Sequence, residues 1–139
     1  MAFEQNPYAI KISLVANADQ STTGQFRFVK LTGSLYNGTP SEVVCSAATD
    51  RPFGILQNSP KQYAEAEVTV AGICKVLAGG NITAGNAVGV KNDGSAVALT
   101  PSVATTNTKF IVGTALTSGA SGEIITVAVD CAASTIGAA

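Results

Sequence analysis

Hydrophobic and polar residues alternate with a period of two along much of the chain, and a period of 3.6 hardly occurs. Tyr8, Ile10, Ile12 and Leu14 alternate with Ala9, Lys11 and Ser13, the pattern of a half-buried strand. Residues 25–31 predict a second strand, with Phe26 and Phe28 on one face and Arg27, Val29 and Leu31 on the other. Chain breakers then recur at short intervals: Gly33, Asn37-Gly38, Pro40, Pro52, Gly54, Pro60, Gly72, Gly79-Gly80, Gly85, Asn92-Asp93-Gly94, Pro101, Gly113 and Gly119. Helices of three turns have almost nowhere to fit. The expected fold is all-β, a barrel or sandwich of short strands. The clearest hairpin runs over 87–91, turns at Asn92-Asp93-Gly94 and returns over 95–99, because Gly94 can take the left-handed position of the turn.

The pattern also echoes itself. Residues 65–74, EAEVTVAGIC, align without gaps on residues 122–131, GEIITVAVDC, sharing Thr, Val, Ala and Cys. Phe53-Gly54-Ile55-Leu56 precedes the first copy and Val112-Gly113-Thr114-Ala115-Leu116 the second. Two such strand–loop–strand units predict matching halves of one barrel or sandwich, since one alone would leave an apolar face and two sheet edges unprotected.

Length and composition narrow this further. A chain of 139 residues is expected to form a single domain over 1–139. Apolar residues make up 46% and charged residues 12%, against roughly 25% charged in an average domain. The polar surface must therefore draw on Ser, Thr, Asn and Gln, a surface suited to packing on other protein. A net charge of −1 with no run of either sign offers no footprint for a phosphate backbone, so no nucleic-acid partner is expected. It also leaves little self-repulsion to oppose assembly. No stretch approaches the ~20 apolar residues of a membrane span. The segment ending in Ala16-Asn17-Ala18 resembles a signal cleavage site, but Lys11 and Ser13 interrupt its apolar run and Glu4 stands where a basic leader is needed.

Candidate chemistry is sparse. Histidine is absent, which removes the commonest general base and neutral metal ligand. Glu65 and Glu67 form the one tight acidic pair; on a strand they share a face, and a solvated face accounts for them as well as acid–base work does. Residues 80–86 have the glycine spacing of a phosphate loop, but Asn86-Ala87 replace the Lys and hydroxyl residue that such a loop requires, leaving a wide turn. Cys45, Cys74 and Cys131 lie 29 and 57 residues apart (74 − 45 and 131 − 74), which matches neither a metal-ligand pair nor a disulfide framework. With apolar neighbours they read as buried small residues. No enzyme activity, metal or cofactor is expected. Residues 1–8 are more suggestive, because Phe3, Pro7 and Tyr8 stand among Glu4, Gln5 and Asn6 with no strand pattern around the first of them. Such a terminal segment either packs on its own domain or forms an extended arm, over 1–7, on a neighbouring subunit or partner.

The opening Met1-Ala2-Phe3-Glu4-Gln5-Asn6-Pro7, the Arg51-Pro52-Phe53-Gly54-Ile55-Leu56-Gln57-Asn58 segment, the Val70-Ala71-Gly72-Ile73-Cys74-Lys75-Val76 strand and the Ile82-Thr83-Ala84-Gly85-Asn86-Ala87-Val88-Gly89-Val90 turn together resemble the capsid cement (head decoration) family of tailed phages. So does Val112-Gly113-Thr114-Ala115-Leu116, with a Gly-rich loop before residues 124–129. The likeness runs over nearly the whole chain, in order. Asn86 departs from it mildly, since an Asp often stands there in the family. The resemblance implies a non-enzymatic β-rich protein on the outer surface of the virion capsid, held in the host cytoplasm before assembly. It implies the major capsid protein as partner, a homotrimer as the favoured oligomer, and Phe3, Pro7 and Tyr8 as candidate capsid or subunit contacts. The competing expectations are a receptor- or carbohydrate-binding β module of a phage tail or spike, for which only Tyr8, Tyr36 and Tyr63 could supply stacking rings, and a lipoyl-type carrier, for which Lys91 would have to sit at a hairpin tip.

Overall fold

The computed structural model describes residues 9–101 and 109–138, and its strands are β1 Ile10–Ala16, β2 Phe28–Tyr36, β3 Thr39–Val44, β4 Gly54–Leu56, β5 Glu65–Leu77, β6 Ala87–Val90, β7 Ala96–Pro101, β8 Lys109–Ile111, β9 Gly113–Ala115, β10 Ile124–Asp130 and β11 Thr135–Ala138. A single 3-10 turn at Cys131–Ala133 is the one helical element among the described residues. The all-β expectation is met.

The first five strands close on themselves. Hydrogen bonding runs β1-β3-β2-β4-β5, and β1 pairs again with β5, so the five form a barrel with no free edge among them. Its interior is small: Leu14, Ala16, Val29, Leu56, Ala66 and Val68, with Val44 and Phe53 against them. The remaining strands extend from β5 in the order β10-β9-β6-β7-β11-β8. A larger core fills the space between them and the outside of the barrel, where Phe28 and Ile55 face Val76, Val88, Ile125 and Val127. Each such side chain contributes about 1.5–3 kcal/mol when fully buried.

β5 belongs to both parts. Residues from Glu65 to Ala71 pair with β1, and residues from Ala71 to Leu77 pair with β10. Gly72 stands at the changeover with φ +118, and a Cβ there would lie 2.7 Å from Ala9 Cα, where the chain crosses over β5. Only glycine meets both conditions. The second echoed segment lies in β10, directly beside the first. Gly72 pairs with Val129, 57 positions on, which is also the separation of Cys74 and Cys131, so the two copies face each other about a local two-fold. Each has its own short strand alongside: β4 starts at Gly54 and runs antiparallel to β5, and β9 starts at Gly113 and runs antiparallel to β10.

The 87–99 hairpin forms as expected, with Ala87 opposite Leu99, Val90 opposite Ala96 and Gly94 at φ +83. Its tip returns to the barrel, where Gly94 O accepts from Phe28 N at 2.7 Å and Arg27 Nη1 donates to Asp93 O at 2.6 Å. Three local expectations change. β2 starts at Phe28 rather than Gln25, because Phe26 has φ 64 and lies in a turn. β2 and β5 run through Gly33 and Gly72 instead of stopping there; at Gly33 the register with β3 slips between Leu31 and Leu35. β1 is only partly half-buried: Leu14 and Ala16 are covered, but Ile10 and Ile12 are 62% and 39% exposed.

Candidate functional site

The arm residues Phe3, Pro7 and Tyr8 lie outside the described residues, and what is described begins at the point where that segment joins the barrel. Ala9 rests over Gly72. The exposed Ile10 and Ile12 follow on β1, continuing the every-second-residue apolar series that starts at Tyr8. On the other face of the same strand Lys11 Nζ donates to Glu67 Oε1 at 2.8 Å and Ser13 Oγ donates to Glu65 Oε1 at 2.7 Å. The Glu65/Glu67 pair therefore forms a cross-strand polar face with Lys11 and Ser13.

Two further surface features lie on the barrel. The β2–β3 hairpin turns at Asn37 and Gly38, with φ 49 and 80, and carries Leu35, which is 67% exposed. Beside it Tyr36 stacks on Tyr63, ring centroids 4.4 Å apart and 5° from parallel. The bulge at Gly33 is pinned by a Thr32–Ser41 hydroxyl contact and by Ser41 Oγ donating to Ser34 O at 3.0 Å. A groove of about 480 Å³ is lined by Lys30, Leu31, Arg51, Pro52, Phe53 and Val70 together with residues 131 and 132. Lys30 Nζ pairs with Asp50 Oδ2 at 2.9 Å. Burial alone would raise Asp50, but hydrogen bonds from Lys30 and from the Ser46 and Ala47 amides hold its carboxyl below the ordinary value.

The remaining candidates for chemistry are occupied structurally. The 80–86 turn uses its own donors: Thr83 N donates to Asn86 Oδ1 at 2.9 Å, Gly85 N to Ala115 O at 2.7 Å and Ala84 N to Ser118 Oγ at 2.9 Å. An Asp at position 86 would accept the same bond. Lys91 Nζ donates to Gly79 O at 2.9 Å and is not displayed at a tip. All three cysteines are buried and outside any disulfide, and burial pushes the Cys45 and Cys131 thiols up to about 12, so neither is a nucleophile at neutral pH. Among the described residues there is no group of three or more His, Cys, Asp and Glu placed to hold a metal ion, and no helix long and apolar enough to cross a membrane. Sequence reasoning missed the Tyr36–Tyr63 stack and a buried Glu42–Gln20 pair. The available signal for the second was a lone acid inside the strand run Ser41-Glu42-Val43-Val44.

The described surface thus offers exposed Ile10 and Ile12 at the start of β1, a tyrosine pair and a groove. No curated protein matches the chain. Its fold is shared with a solved structure described as the head fiber gp8.5 N base of bacteriophage phi29, at 17% identity and a TM-score of 0.64, over 89% of this chain and 96% of that one. Residues 11–131 match the family model described as phage cement protein, and since this is most of the chain, the protein belongs to the phage cement protein family.

Proposed function

We propose that this protein binds the outer surface of an expanded phage head and strengthens it against the pressure of packaged DNA, without catalysis. The family match over residues 11–131 carries this reading. A bound copy bridges adjacent subunits of the major capsid protein, and the area buried across each seam, of the order of 1,600 Å² for a standard interface, opposes their separation. A homotrimer suits the task, because closure about a three-fold axis matches three-fold positions on a head and repeats each contact three times. Host cytoplasm before assembly is the setting that buried, unbridged thiols suit.

The N-terminal segment is part of the contact. Support comes from its place of attachment: the segment precedes a strand whose Ile10 and Ile12 are left exposed. The Tyr36–Tyr63 stack uses one face of each ring internally, which makes it a poorer platform for a sugar. The test is co-sedimentation with purified expanded heads and DNA release on heating, with and without saturating protein. Full-length protein should co-sediment and raise the release temperature. Removing residues 1–7 should weaken attachment more than it lowers the melting temperature of the free protein. Coincident release curves would remove the strengthening role, and undiminished attachment of the truncated chain would remove the arm.

A further inference from the structure

Of the fully buried side chains among the described residues, one carries a carboxyl: Glu42, 0% exposed. It sits on β3 two positions from Val44, which packs in the barrel core, and directly across from Ala16 on β1, so it points into the barrel. Its partner is the side chain of Gln20, itself buried, whose Nε2 donates to Glu42 Oε2 at 3.0 Å. The other oxygen of each group, Glu42 Oε1 and Gln20 Oε1, is buried and has no hydrogen-bond partner among the described residues. An amide and a carboxyl thus lie together with one bond made and two acceptors unmet, an arrangement that would cost about 1–3 kcal/mol for each unmet group.

A single proton removes both deficits. Placed on Glu42 Oε1 it makes that oxygen a donor to Gln20 Oε1, while Gln20 Nε2 keeps donating to Glu42 Oε2, closing a ring of two bonds. We infer that Glu42 is protonated in the folded protein and that it forms with Gln20 a proton-dependent latch holding the loop of residues 17–27 onto the barrel. Gln20 is the hub of that loop: its N donates to Pro60 O at 2.9 Å, its O accepts from Gly24 N at 3.1 Å, and Asn17 N donates to Glu42 O at 2.9 Å.

No described charge offers an alternative partner. Asp19, next to Gln20, accepts from Ser21. On β5, Glu65 and Glu67 are taken by Ser13 and Lys11 on the outside of the barrel, and on β2 Lys30 pairs with Asp50. In the adjoining loop Lys61 is exposed and Tyr63 stacks on Tyr36. Burial accordingly raises Glu42 from 4.5 to about 7, outweighing the Gln20 bond, which pulls the other way.

The sign of the pH effect follows. Between about 4.5 and about 7 the folded chain holds a proton that the unfolded chain has released, so stability is highest at the acidic side of this window and falls as pH rises through it. Asp50 and Asp93, both held below their ordinary value, act at lower pH and in the opposite direction, which leaves this window to Glu42.

Carboxyl carbon NMR on the full chain, with the signal assigned by its loss in Glu42→Gln, tests the latch directly. Glu42 should titrate well above the other glutamates, and the unfolding constant should rise by up to about tenfold per pH unit across the window. Glu42→Gln supplies the missing N–H at every pH, so its stability should be flat there and at pH 8 no lower than that of the parent. Amide protection factors over residues 17–27 should drop in the parent between pH 5 and pH 8 and hold in the variant. A Glu42 carboxyl that titrates among the others, a slope that persists in Glu42→Gln, or loop protection indifferent to pH would each overturn the inference. If Glu42→Gln does not fold, the titration and protection of the parent chain decide alone.

Discussion

The two cores of this molecule are built differently. The core between barrel and outer strands holds sixteen buried apolar residues, the three cysteines included, whereas the barrel interior holds six, with the buried carboxyl of Glu42 and its Gln20 partner beside them. A ring of five strands encloses a narrow space, and its ends must be stopped by whatever the loops bring in. Here a loop brings an amide, and a carboxyl meets it. Burial pushes the Cys45 and Cys131 thiols of the large core up to about 12, far from neutrality, and pushes the Glu42 carboxyl beside the small core up to about 7.

The largest expected effect tests which core carries the fold. Phe28→Ala opens the large core where barrel and outer strands meet, and should cost about 3–5 kcal/mol, read from the denaturation midpoint. Leu14→Ala, in the barrel alone, should cost about 2–4 kcal/mol. If the Leu14 variant proves the worse of the two, the barrel is the dominant core and the comparison is reversed.

The echoed glycines should behave alike despite lying in different parts. A Cβ on Gly54 would approach Val68 Cγ1 at 2.4 Å and Thr69 O at 2.7 Å; one on Gly113 would approach Ala128 O at 2.4 Å. Backbone must move in both, so Gly54→Ala and Gly113→Ala should each lower stability by about 1–3 kcal/mol in thermal melts. Loss in only one of them would show that the echo is a likeness of sequence and not of packing. The smallest effect belongs to the barrel surface. Lys11→Ala breaks a part-exposed bond to Glu67 and should cost no more than about 1 kcal/mol, shrinking further in high salt. A larger loss would mean that the first turn of the barrel depends on that pair.

Much of this was legible in advance. The turn at 92–94, the echoed segments, the buried cysteines and the solvated Glu65/Glu67 face all follow from residue type and spacing, because turns, glycine positions and strand faces are local properties. The start of β2 was not legible, since Phe26 continues the alternation but takes a left-handed turn that Leu77 N holds by donating to its carbonyl at 2.8 Å. Neither was the pairing of Tyr36 with Tyr63, which lie 27 positions apart (63 − 36) on elements joined only through the barrel.

By itself the sequence determined an all-β chain, its repeated unit and its membership of the phage cement protein family, because alternation, turn chemistry and family pattern are written position by position. Tertiary structure alone decided which of the alternating positions are covered. Ile10, Ile12, Leu14 and Ala16 share one face of β1 and one pattern, yet the first two are left open and the last two are sealed. Glu42 is polar by type and buried by place. The alternation of a strand assigns faces, but burial depends on which distant strand closes over each face, and that closure, from β1 to β5 and from Gln20 to Glu42, is a long-range event that no local pattern encodes.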